Sequence, residues 1–233
     1  MRVGAVLFDA HGVLVKAAEP VGETYARFLA QHGIQIPGWR IEDGLRRILN
    51  KAPRIRYPLE AGGNPIQLEY DWWKDRVREV LQAVDSTLIV DDFPELFDQL
   101  FRHFAQSEAW ALCPAACETL EKLRRKHLKT GIVSNWDHRL IGILEGLGIA
   151  ELIDITAIPI RSGFAKPDPR AFTHALEGLG VPADEALFVG HDPALDEAAA
   201  RSAGLIPLMV QGIQTLSSIP TRVEEIATLC NQR

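Results

Sequence analysis

The chain has 233 residues, 47% hydrophobic and 24% charged, with a net charge of −6. That composition describes a globular protein large enough for one domain, or for a core with a smaller second lobe. The acidic balance argues against a nucleic-acid or acidic-membrane partner, and no apolar run approaches the roughly 18 residues of a membrane span.

In chain order, the first element is VGAVLF (3–8), a short apolar run that ends at Asp9. The opening MRVGAVLFDA lacks a signal-peptide cleavage pattern, so the cytoplasm is the expected compartment. Residues 17–105 then change character. ETYARFLAQHG, EDGLRRILNKA, LEYDWWKDRVREVLQAV and ELFDQLFRHFAQ all carry helical spacing, and APRIRYPLEAGGNP (52–65) carries the Pro and Gly of a loop. From 106 onward apolar runs alternate with amphipathic stretches. The expected strands are KTGIVS (129–134), DITAIPI (154–160), EALFVG (185–190) and LIPLMV (205–210). The expected helices are ACETLEKLRRKH (116–127), HRLIGILEGLG (138–148), DPRAFTHALEGLG (168–180) and DEAAARSAG (196–204). Alternation of this kind specifies βαβ units on a parallel sheet. The expected architecture is therefore α/β: a Rossmann-like core of residues 1–16 and 106–233, interrupted by a helical cap of residues 17–105.

In an open parallel sheet, ligands bind beyond the C-terminal strand ends. Those ends carry Asp9, Ala10 and His11; Ser134, Asn135 and Trp136; Lys166; and His191, Asp192 and Asp196. A nucleophile candidate, a hydroxyl, a lysine and carboxylates at one rim make a candidate reaction centre.

Elsewhere the sequence offers less. Cys113 and Cys117 lie four apart, but a loop cysteine and a buried helical one account for them better than a metal pair, and three cysteines with Cys230 make no disulfide framework. Trp72 and Trp73 diverge by about 100° on a helix, and packing among the cap helices is their expected role. Arg54 and Arg56 read as a solvated face. His32, His103, His127, His138 and His174 lack ligand spacing. Asp137 and Asp168 border the site, with Asp168 expected to cap a helix starting at Pro169.

FDAHGVL (8–14), IVSN with Ser134, AKPDPRAF with Lys166 and FVGHDPALD with His191 and Asp196 follow one another in an order that resembles the haloacid dehalogenase superfamily of hydrolases. The resemblance spans the core, and the helical insert after the first motif is similar to the cap of the subgroup containing phosphoglycolate phosphatases and dehalogenases. It implies that Asp9 is a nucleophile forming an aspartyl-phosphate. It further implies that Ser134 and the N–H groups around Ala10, His11 and Asn135 hold phosphoryl oxygens. Lys166 would neutralise charge, and the substrate would be a small anionic molecule.

Two aspartates of the family pattern are His11 and His191 here. His11 keeps its backbone carbonyl for a metal, and its imidazole can carry a proton near neutral pH. The resemblance places a divalent metal among Asp9, His11, His191, Asp192 and Asp196, the last through water. Neutral imidazole is a poor Mg2+ ligand, so Zn2+, Mn2+ or another transition metal is favoured. Phosphomonoester hydrolysis is the first reading. A catalytically altered binding or regulatory protein is the second, and metal-independent 2-haloacid dehalogenation the third.

Overall fold

The computed structural model describes residues 3–55, 57, 63–210 and 216–231, with main chain alone for 229–231. The chain divides into two compact units, Met1–Lys16 with Ala111–Arg233 and Ala17–Trp110.

The first unit holds strands β1 (Ala5–Phe8), β4 (Lys129–Val133), β5 (Ile155–Ala157), β6 (Ala186–Gly190) and β7 (Ile206–Met209) in the order β5-β4-β1-β6-β7. Every pairing in this sheet is parallel, which bears out the expected α/β class. β1 is central and buried at every residue, and so is β6. A strand covered on both faces must read as a continuous apolar run, and AVLF and ALFVG do. Register fixes where the site lies. Phe8 stands opposite both Ile132 and Val189, so β1, β4 and β6 end level, and the residues after them meet at one rim. The Asp9 N–H donates to Val189 O and the Ser134 N–H to Ala157 O, carrying the ladder to its last rung.

Helices α5 (Ala116–Arg125), α6 (Leu140–Gly146), α7 (Pro159–Ser162), α8 (Arg170–Leu179), α9 (Ala198–Ser202) and α10 (Ile219–Asn231) accompany the sheet. Leu7, Val133, Phe172, Ala175 and Phe188 form its apolar core, with the Phe172 and Phe188 rings edge to face at 4.9 Å. Fully burying side chains of this size contributes about 1.5–3 kcal/mol each.

Several expected boundaries move. The strand expected over 154–160 stops at Ala157, because Pro159 has no N–H to donate and its fixed φ starts α7 instead. The helix expected from 168 runs from Arg170; Asp168 accepts the Arg170 N–H and pairs with its guanidinium. The helix expected over 196–204 is α9, preceded by a π-helical turn at Pro193–Glu197 whose first N–H groups Asp192 caps.

The second unit contains α1 (Val21–Gln31), α2 (Gly38–Leu49), α3 (Pro65–Val84) and α4 (Phe93–His103). Asn64 accepts the Ile66 and Gln67 N–H groups ahead of Pro65, and Asp92 accepts that of Glu95. Both are N-caps satisfying donors that a helix start leaves free. Leu29, Ile41, Val80, Leu96, Phe97 and Leu100 form this unit's own core. Trp73 packs against that core, while Trp72 donates its indole N–H to Pro53 O. Arg54 is exposed, and Arg56 lies outside the described residues.

Two short strands, β2 (Val15–Ala17) and β3 (Trp110–Leu112), pair as a separate sheet and carry the dividing line. Residues 106–110 fall with the helical unit: Trp110 donates its indole N–H to Phe104 O, and Ala109 O accepts the Ala18 N–H. Cys113 is buried and Cys117 half-buried, and neither joins a cluster of metal-capable groups among the described residues. The Cys230 side chain lies outside the described residues.

Candidate active site

Asp9 is the first residue beyond β1. Its side chain is 9% exposed, and one oxygen, Oδ1, accepts both its neighbour Ala10's N–H at 2.8 Å and the Lys166 ammonium at 3.0 Å. Ser134, the residue after β4, supplies another hydrogen bond to the carboxylate. Burial alone would raise the Asp9 pKa. The charge of Lys166 and hydrogen bonds from His191, Lys166 and Ser134 outweigh it, holding the carboxyl well below the ordinary range. Asp9 is therefore a buried carboxylate at the mouth of the sheet whose charged form its neighbours favour.

Lys166 is buried between two carboxylates, donating to Asp196 Oδ1 at 2.7 Å as well as to Asp9, and its ammonium stands 5.0 Å from the centre of the Phe188 ring. Asp196 is 1% exposed. Its second oxygen accepts the His191 and Asp192 N–H groups at 2.9 and 3.0 Å, so this one side chain ties down the turn after β6. Gly190 makes the approach possible: a Cβ there would lie 2.5 Å from the Asp196 Cβ.

His191 is half-exposed at the same rim. Its Nδ1 lies 3.5 Å from Asp9 Oδ2 and 3.5 Å from Asp196 Oδ2. The interaction with Asp9 raises the imidazole pKa above 6.5 against the cost of desolvation, with the charges of Asp9 and Asp196 adding and Lys166 opposing. The ring lies over Gly12, whose φ of +75° suits glycine and whose absent Cβ would stand 3.4 Å from the imidazole.

The other sequence candidates sit nearby with different duties. His11 is exposed, with its ring edge to the Trp136 indole at 6.0 Å. Desolvation lowers its pKa, the charge of Asp9 opposes this, and His191 reinforces the lowering. The Asp192 carboxylate is turned onto the Ala194 and Leu195 N–H groups and is not in the metal-capable cluster; neither is His11. The Asn135 side chain faces the Lys166 main chain: Nδ2 donates to Lys166 O at 2.8 Å, and Oδ1 accepts the Lys166 N–H at 2.7 Å. Asp137 is buried in a two-point ion pair with Arg139.

Asp9, His191 and Asp196 each offer a ligand atom, all within 4.8 Å of one another. A tetrahedral shell with bonds of about 2.1 Å has edges of about 3.4 Å, close to the observed 3.5 Å spacings. One imidazole nitrogen with two carboxylate oxygens fits a transition-metal ion better than Mg2+, which takes near-octahedral oxygen shells.

A family model for haloacid dehalogenase-like hydrolases matches residues 3–204. The chain belongs to that family. It is 29% identical over 223 residues to haloacid dehalogenase-like hydrolase domain-containing protein 3 of Homo sapiens, covering 94% of this chain and 86% of the human protein. Among solved structures it resembles a HAD phosphatase from Thermococcus onnurineus, with TM-score 0.61 and 24% identity over 94% of this chain and 97% of that one. It also resembles a 2-haloacid dehalogenase from Pseudomonas syringae pv. Tomato DC3000, with TM-score 0.62 and 21% identity over 96% and 99%. At these identities the structural likeness shows the fold, and it does not choose between the two reactions. The chain is a HAD-like hydrolase by family, and no helix among the described residues is long and apolar enough to cross a membrane.

Proposed function

We propose that this hydrolase cleaves small anionic phosphomonoesters through an aspartyl-phosphate on Asp9. The observation that carries the reading is the setting of that carboxylate: buried just beyond β1, paired with the Lys166 ammonium at 3.0 Å and hydrogen-bonded by Ser134. Asp9 attacks phosphorus in line with the ester oxygen; a P–O bond to Asp9 forms as the bond to the alcohol breaks. Water then attacks the phosphoryl group, and the Asp9 carboxylate is released. The Lys166 ammonium and the Ser134 hydroxyl stand where charge on the phosphoryl oxygens would be met. The Ala10 N–H, already aimed at Asp9, and the main-chain N–H groups of His11 and Asn135 complete the donor set. The His11 imidazole gives a proton to the leaving oxygen and takes one back from water. A divalent metal, held by Asp9, His191 and Asp196, would neutralise phosphoryl charge, and the nitrogen ligand favours Mn2+ or Zn2+ over Mg2+.

The test is phosphate release from p-nitrophenyl phosphate with each metal in turn. Asp9→Asn removes the nucleophile and is expected to lower turnover by at least ~1,000-fold, the scale on which a covalent catalyst's loss is felt. Turnover surviving that substitution would contradict the reading.

One observation favours a second reading. Both oxygens of Asp9 already face nitrogen, Lys166 Nζ and His191 Nδ1, so the carboxylate is neutralised without an added cation. In that reading Asp9 displaces halide from the carbon without a metal, the halide leaving as an ester to Asp9 forms and water then cleaving the ester; chloride release from a 2-chloro acid in the presence of chelator would support it.

A further inference from the structure

The Lys166 ammonium has to be delivered to one point between two carboxylates by a flexible four-carbon stem. Its main chain lies between α7 and α8, outside the sheet, so no strand ladder fixes its height. What meets it is Asn135. One planar amide donates to Lys166 O at 2.8 Å and accepts the Lys166 N–H at 2.7 Å, so both main-chain polar groups of a single residue are satisfied by one side chain. A side-chain amide offers a donor and an acceptor side by side on one planar carbon; a carboxylate, hydroxyl or thiol does not.

The sequence position matters as much as the bonds. Ser134 and Asn135 are consecutive at the end of β4, which lies between β1 and β5 in the sheet. Ser134 serves Asp9 on the β1 side, and Asn135 serves the Lys166 segment that follows β5 and α7. A single strand end therefore sets the separation of the nucleophile and the cation that neutralises it.

We infer that Asn135 is a positioning residue, whose amide clamps the Lys166 main chain and so places the ammonium against Asp9 and Asp196. This is a duty of the side chain, separate from the phosphoryl contact proposed for the Asn135 main-chain N–H, and it rests on Lys166 acting at the site proposed above. The clamp makes the lysine's position insensitive to motions of its own loop. With it gone, the ammonium remains attracted to both carboxylates but samples a wider arc, leaving the buried slot more often.

Acylation of Lys166 by an N-hydroxysuccinimide acetate, followed residue by residue by mass spectrometry, reads this without any need for turnover. Wild-type Lys166 is 2% exposed and should label slowly. In Asn135→Ala it should label about tenfold faster, the factor that ~1.4 kcal/mol of lost hydrogen bonding gives. Asn135→Asp keeps the acceptor for the Lys166 N–H and loses the donor to Lys166 O. It is close to isosteric, should also accelerate labelling, and carries the test if the alanine variant does not fold. Hydrogen exchange along β4 should stay at its wild-type rate in the variant used.

In turnover of p-nitrophenyl phosphate, kcat should fall about tenfold at unchanged KM, and the same change made in a Lys166→Ala background should cost almost nothing. Unchanged Lys166 labelling in both variants would overturn the inference. So would faster labelling matched by faster exchange throughout β4, which would mark a merely structural role. A wild-type protein with no turnover of p-nitrophenyl phosphate, but with the labelling response intact, would sink the phosphomonoesterase reading and leave the clamp standing.

Discussion

At the scale of single residues, the site is an alternation of charge: Asp9, Lys166 and Asp196 in one buried row, with the His191 imidazole across its outer edge. Pairing of this kind couples stability to pH. His191 has a folded-state pKa raised above 6.5 by its interaction with Asp9, so its contribution is fully present below the unfolded value, near 6.5, and is lost as pH rises through the folded one. In chelator-treated protein, urea unfolding across that window should therefore show falling stability with rising pH. His191→Asn should remove that component, and an identical slope in wild type and variant would contradict the pairing. Asp9 works in the opposite direction. Its depressed pKa adds stability that is present above the ordinary carboxylate range and disappears on acidification.

The element scale shows which parts of the fold could be read from sequence. The five core strands were legible because buried parallel strands are apolar runs closed by polar turns, and AVLF and ALFVG have no competing period. β2 and β3 were not. At three residues each they are too short for any alternation to register. The site residues were legible as a set because each follows a strand, but their partners were not. Nothing in VSNW reveals that Asn135 turns to the Lys166 main chain, or that Asp192 spends its carboxylate on the turn behind it, since both depend on where a distant loop passes. Gly12 is another such case. A Cβ there would meet the His191 ring only at ordinary contact distance, but the positive φ strains any side chain, so Gly12→Ala should lower unfolding stability by about 1–2 kcal/mol. A stability within ~0.3 kcal/mol of wild type by urea titration would show that the turn tolerates a Cβ.

At the scale of the whole molecule, two compact units each own a hydrophobic core, and one chain passes out of the sheet unit after its first strand and returns before its second core strand. The composition signalled this as a break in rhythm, helices only between strand-rich flanks. The dividing line at 110 rather than 105 rests on contacts of Trp110 and Ala109 that composition does not carry. All the groups proposed for chemistry lie in the sheet unit, at the common end of β1, β4 and β6. The family membership makes the chain a hydrolase, and the row of alternating charge makes Asp9 its nucleophile in our account. The most direct measurement is an acid quench during steady turnover of p-nitrophenyl phosphate with Mn2+, followed by mass spectrometry of the peptides. The account predicts a phosphoryl group on the peptide carrying Asp9, lost in Asp9→Asn. Phosphate release with no phosphorylated enzyme, or with the label on another residue, would contradict it.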